Sequence, residues 1–96
     1  MPLNFMNLSE IANKMRELNN WSLESGSMQK DFIFKDFKEA LEFLNKVGEI
    51  AEKNLHHPEI LMSYNRVKLS LTTHETNDLS EKDFEVAKQI DEIEKV

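Results

Sequence analysis

All three histidines of this 96-residue chain, His56, His57 and His74, fall within nineteen consecutive residues. Histidine is the side chain whose ordinary pKa suits proton transfer near neutrality, so their concentration points to general acid–base chemistry. Adjacent helical residues diverge by about 100°, so His56 and His57 at a helix end would address opposite sides of a bound group. Glu52 lies one helical turn before His56 and is spaced to hydrogen-bond it. Asp83, in the first turn of the last helix, is a second acid following the same region. If Tyr64 pairs with Val67 across a tight hairpin, His57 comes to face His74; if Asn65 instead marks a bulge in one bent strand, the two do not meet. Plainer readings stand beside this one. A His-His pair before proline suits a polar helix end, Asp83 suits a capping acid, and Tyr64 suits an ordinary strand residue. A three-histidine zinc site is the sharper alternative, but adjacent histidines rarely converge on one metal and no further ligand pattern follows. Serine has no nucleophile-elbow context here, and cysteine is absent.

These residues need elements to position them. Leu8, Ile11, Ala12, Met15 and Leu18 follow the spacing of a one-sided helix. Asn7 and Glu10 make a capping box before it, and Asn19-Asn20 closes it. Trp21–Glu24 and Met28–Phe34 alternate around Ser25-Gly26-Ser27 as a β-hairpin, with Met28, Lys30, Phe32 and Phe34 on one face. Asp36-Phe37-Lys38-Glu39 reads as a second capping box and opens the longest helix. Its apolar face comprises Phe37, Ala40, Leu41, Leu44, Val47, Ala51 and Leu55, and Phe43 and Ile50 widen it to roughly half the circumference. The excess is either deep core or a Phe43/Val47/Ile50 edge that packs on another subunit. Pro58 ends the helix. Glu59–Tyr64 and Val67–Thr73 read as strands, and Ser80, with an acid three residues on and a Leu79/Phe84 staple, opens a last helix carrying Phe84, Ala87, Ile90 and Ile93. The order α-β-β-α-β-β-α predicts one α+β domain over residues 1–96, a four-stranded antiparallel sheet with helices packed on one face.

Composition narrows the function. Twelve basic against eighteen acidic side chains give a net charge of −6, with no basic cluster, which disfavours direct nucleic-acid binding. No apolar run approaches the ~18–20 residues of a membrane span, and the N-terminus has no signal-peptide pattern, so a cytoplasmic protein is expected. The lack of cysteine removes disulfides and thiolate metal sites.

The spacing Glu52, His56-His57-Pro58, Tyr64, His74 and Asp83 resembles the signature of the pterin-4a-carbinolamine dehydratases. Phe34-Lys35-Asp36-Phe37, Ala51-Glu52-Lys53, Tyr64-Asn65, Thr73-His74-Glu75 and Leu79-Ser80-Glu81-Lys82-Asp83 also resemble family segments, so the likeness spans nearly the whole chain. Ile60, where many members carry an aromatic, and Asp78, where glycine is common, depart from it. The resemblance implies a hydro-lyase, 4a-hydroxytetrahydrobiopterin dehydratase, that removes water from the 4a-hydroxypterin released by an aromatic amino-acid hydroxylase. A pterin would be the substrate, with no metal and no organic cofactor. By the same likeness, His56 and His74 would move protons on the two faces of the ring, and His57 would bind and orient it. Glu52 and Asp83 would tune or position the histidines, and Pro58, Thr72, Thr73 and Glu75 would help to hold the heterocycle. A homodimer or homotetramer is implied. The competing expectation is a non-catalytic binding protein, an assembly factor or a dimerisation cofactor of a transcription factor, working through the long helix.

Overall fold

The computed structural model describes residues 6–73 and 78–94. It contains α1 (Leu8–Met15), β1 (Ser22–Glu24), β2 (Ser27–Ile33), α2 (Phe37–Asn54), β3 (Glu59–Ser63), β4 (Arg66–Leu71) and α3 (Glu81–Glu94). The four strands form one antiparallel sheet in the order β1-β2-β4-β3, as the α+β expectation requires. The two halves of the chain each supply a hairpin, and the hairpins join through β2 and β4. Pairs Met28–Leu71, Lys30–Leu69 and Phe32–Val67 face the helices, while Gln29–Ser70, Asp31–Lys68 and Ile33–Arg66 face away. Period-two alternation therefore places every apolar side chain of β4 in the core, where Val67, Leu69 and Leu71 are fully covered.

Local signals act much as expected. Asn7 and Glu10 form a reciprocal capping box on α1. Ser25 and Gly26, with φ of 36° and 80°, make the two-residue turn between β1 and β2. The Asp36 side chain accepts from the Glu39 backbone N–H, but Glu39 turns its own carboxylate to the N–H of Lys35, so this cap is not a reciprocal box. α1 stops at Met15, before Leu18, and Leu8 lies exposed rather than on the buried face.

Two expectations need correction. Phe43 and Val47 are core residues of their own chain, not an edge left for a neighbour. The Phe43 ring packs, tilted by 41° and 39°, at 4.6 Å from the ring of Phe32 and 4.9 Å from Phe34, which anchors α2 to the sheet. The apolar side chains that α2 leaves exposed are Phe37, Leu41 and, at its end, Leu55. The second hairpin turns at Tyr64-Asn65 with Ser63 opposite Arg66, one residue earlier than a Tyr64–Val67 pairing would require. Each β3 residue thus faces a β4 residue two positions earlier than that pairing implies. Asn65 explains the choice of turn. Its side-chain amide donates to the Phe34 carbonyl at 2.9 Å, and its own carbonyl accepts from Phe34 N at 2.8 Å. The turn is pinned to the end of β2.

A buried polar cluster fixes the other end of the core. Lys30 sits on the apolar face of β2 and donates to Asp91 Oδ1 at 2.9 Å, both side chains being almost fully covered. Trp21 Nε1 donates to the same oxygen at 2.9 Å, and the Asn19 N–H donates to Oδ2 at 3.0 Å. A buried charge is tolerable only when its partners are this complete. Three segments remote in sequence therefore meet in a single arrangement.

Candidate functional site

The site begins where α2 ends. Leu55 adopts the left-handed conformation (φ 51°, ψ 41°), and the N–H groups of Leu55 and His56 bond back to the carbonyls of Glu52 and Ala51. That is a Schellman closure with leucine where glycine is usual, and it costs on the order of 1–2 kcal/mol of backbone strain. The strained residue directly precedes His56-His57, and it turns the chain before Pro58 starts the approach to β3. Asn54 holds this end against α3, exchanging amide hydrogen bonds with Gln89 at 3.0 and 3.3 Å.

The turn also redistributes the partners. His56 Nε2 meets Asp83 Oδ1 at 2.5 Å, and it is His57, not His56, whose Nε2 meets Glu52 Oε2, also at 2.5 Å. The expected Glu52–His56 pair requires a helix continuing through His56, and α2 stops at Asn54. The two pairs differ sharply in environment. Asp83 is fully buried and the His56 ring keeps 11% of its surface, whereas the His57 and Glu52 side chains are 56% and 77% exposed. Water screens the outer pair, so its carboxylate orients weakly; the inner pair is fixed.

Asp83 is itself held by two further hydrogen bonds, whose donors are linked to each other. Thr73 Oγ1 donates to Oδ2 at 2.8 Å, the Ser80 N–H donates to Oδ2 at 2.9 Å, and Thr73 and Ser80 hydroxyls meet at 2.6 Å. The acid three residues into α3 thus reaches back to the residue before the helix, at the end where the helix dipole favours negative charge. Thr73 N donates to the Asp78 carbonyl at 2.9 Å, so the chain returns here after β4. The side chains of Thr72 and Thr73 are committed within the fold: Thr72 Oγ1 donates to the Gly26 carbonyl at 2.7 Å, and Thr73 is wholly buried. Pro58 is half-buried beside the histidines. His74 and Glu75 lie outside the described residues. Tyr64 sits in the far turn, roughly 20 Å along the strand from His57 at ~3.3 Å per residue. No group of three His, Asp or Glu side chains among the described residues could hold one metal ion. The Thr73–Ser80 contact went unanticipated; the one sequence signal for it is a pair of hydroxyl residues flanking an acid destined for burial.

A three-helix, four-stranded antiparallel fold with a carboxylate-bound histidine pair at one end of the sheet defines the class. Residues 5–93 match the family described as Pterin 4 alpha carbinolamine dehydratase, and the chain belongs to that family. Among its curated relatives, a protein of Nostoc sp. (strain PCC 7120) is 48% identical over 84 residues, covering 88% of this chain and 90% of that one. One from Sulfurisphaera tokodaii is 44% identical over 84 residues, with 88% and 90% covered. Both are named as candidate pterin-4-alpha-carbinolamine dehydratases. The crystal structure of a transcriptional coactivator/pterin dehydratase from Brucella melitensis superposes with a TM-score of 0.90 at 35% identity, covering 94% of this chain and 98% of that one. A pterin dehydratase-like RuBisCO assembly factor of the alpha-carboxysome shares the fold, with a TM-score of 0.64 at 19% identity over 77% of this chain and 86% of that one.

Proposed function

We propose that this protein dehydrates 4a-hydroxytetrahydropterin to quinonoid dihydropterin and water by histidine acid–base catalysis, within tetrahydropterin recycling in the cytoplasm. The observation that carries the reading is the His56–Asp83 pair: an imidazole held rigidly by a buried carboxylate, one residue from a second, solvated imidazole. The reaction breaks the C4a–O bond and the N5–H bond and forms C4a=N5. An acid protonates the departing hydroxyl, and a base accepts the N5 proton. Neutral and protonated imidazoles near pH 7 can serve in both roles without a metal or an organic cofactor. His56 and His74 act on the two faces of the ring, and His57 binds and orients it. Glu52 steadies His57, and backbone around Pro58, Thr72, Thr73 and Glu75 lines the heterocycle. The purified protein is expected to accelerate the dehydration with chelator present. A rate equal to the spontaneous one overturns the reading, and a strict zinc requirement overturns its metal-free form.

A binding role is favoured by one observation of its own: Phe37 and Leu41 remain exposed on α2. Dimerisation or docking of a regulatory or assembly partner through that face is compatible with catalysis at the histidines. The Brucella relative's description as both coactivator and dehydratase is in keeping with such a pairing.

A further inference from the structure

We infer that Thr73 and Ser80 are positioning residues that fix which nitrogen of His56 exchanges a proton with substrate, and that this atom is Nδ1. The inference rests on the dehydratase reading for its kinetic part only.

The donors can be assigned by elimination. A carboxylate only accepts, so the single hydroxyl hydrogen of Thr73 goes to Asp83 Oδ2. The 2.6 Å contact between the two hydroxyls then leaves Ser80 as its donor. Protons therefore run in one direction, from Ser80 Oγ to Thr73 Oγ1 and from Thr73 Oγ1 to Asp83 Oδ2, reinforced by the Ser80 N–H. With Oδ2 occupied twice, Oδ1 is the oxygen left for His56. His56 Nε2 must carry a hydrogen to meet it. The tautomer of the ring is thereby set by its partner, as a hydrogen bond to one imidazole nitrogen sets the state of the other. The neutral ring then presents the Nδ1 lone pair as a base, and the protonated ring presents Nδ1–H as an acid. Among the described residues, Nδ1 of His56 has no hydrogen-bond partner.

Thr73, Ser80 and Asp83 are all buried, so water does not substitute for a missing hydroxyl at no cost. A Thr73→Val change keeps the shape and removes the donor, freeing the Asp83 carboxylate to rotate about its remaining contacts. Thr73→Ser restores the donor. Ser80→Ala keeps the backbone N–H to Asp83 and removes only the far end of the chain.

The test combines imidazole nitrogen NMR of the full-length, substrate-free protein with steady-state dehydration kinetics. In the wild type, at a pH where the ring is neutral, His56 is expected as a single tautomer with hydrogen on Nε2. In Thr73→Val the tautomers should mix, and kcat should fall roughly tenfold or more with KM nearly unchanged, the scale of an orienting bond to a charged group. Thr73→Ser should recover both readouts, and Ser80→Ala should lie between. If Thr73→Val does not fold, Ser80→Ala carries the comparison alone. A folded donor-less variant that keeps one tautomer and full kcat overturns the inference. A wild type without dehydratase activity overturns the proposed function instead, and the tautomer signature then decides the inference by itself.

Discussion

Asp83 and Glu52 do different work although each carries a histidine. The buried carboxylate makes His56 a rigid group, whereas the solvated one leaves His57 free to adjust to a ligand. Replacing His56 by alanine is therefore expected to act on kcat, within the ~10²–10⁴-fold range of a general acid–base group. His57→Ala should mainly raise KM, because binding energy shared by ground and transition states appears there. Each of His56→Ala and His74→Ala should retain one stereoisomer of the 4a-hydroxyl preferentially, and the double variant should lose far more on the mixture. Turnover close to wild type in a folded double variant would falsify the histidine mechanism. His74 lies outside the described residues, but that His56, His57 and Asp83 come from one region was legible from residue type and spacing. Their pairing was not, since the exchange of Glu52 from His56 to His57 depends on one left-handed leucine that helical periodicity does not reveal.

Among elements, the end of α2 is the most informative. Leu55 is exposed and gains little from burial, yet it bears the left-handed conformation. Leu55→Gly is expected to raise stability by about 0.5–1 kcal/mol, the strain relieved less the extra freedom of glycine in the unfolded chain. Urea titration measures it, and a loss of stability would remove the claim of strain. At the far end of α3, Asp91→Ala removes the acceptor shared by Lys30, Trp21 Nε1 and the Asn19 N–H, and should cost about 1–3 kcal/mol in the same titration. An effect below 1 kcal/mol would mean that water replaces the carboxylate. Caps, hairpins and element order were readable because each is written within a few residues. The register of the second hairpin was not, because Asn65 chooses its turn by bonding to Phe34, thirty-one positions away. Lys30 was legible on the same strand face as Met28, Phe32 and Phe34, but nothing local identified Asp91 as a partner for it.

At the scale of the molecule, the apolar arc of half the circumference on α2 divides between the core and an exposed stripe. Phe43 and Val47 bind the chain's own sheet, and the open stripe runs through Phe37 and Leu41 with the half-buried Leu44 between them and the core. A homo-oligomer is expected to close on that stripe. Light scattering at micromolar concentration should give a multiple of the chain mass, and Leu41→Glu should reduce it; a wild-type monomer would return the stripe to solvent. The chain's single tryptophan adds a practical dividend. Trp21 is locked to Asp91, while Asp83 lies eight residues earlier on the same helix, about 12 Å away along its axis. Its indole emission therefore reports on the core junction and is remote from the His56–Asp83 pair. A folded variant at Asp83, Thr73 or His56 should keep the blue-shifted emission of a buried indole while its chemistry changes. One helix thus carries a built-in optical gauge of folding at one end and the candidate proton machinery at the other, so loss of activity and loss of structure can be read in the same cuvette.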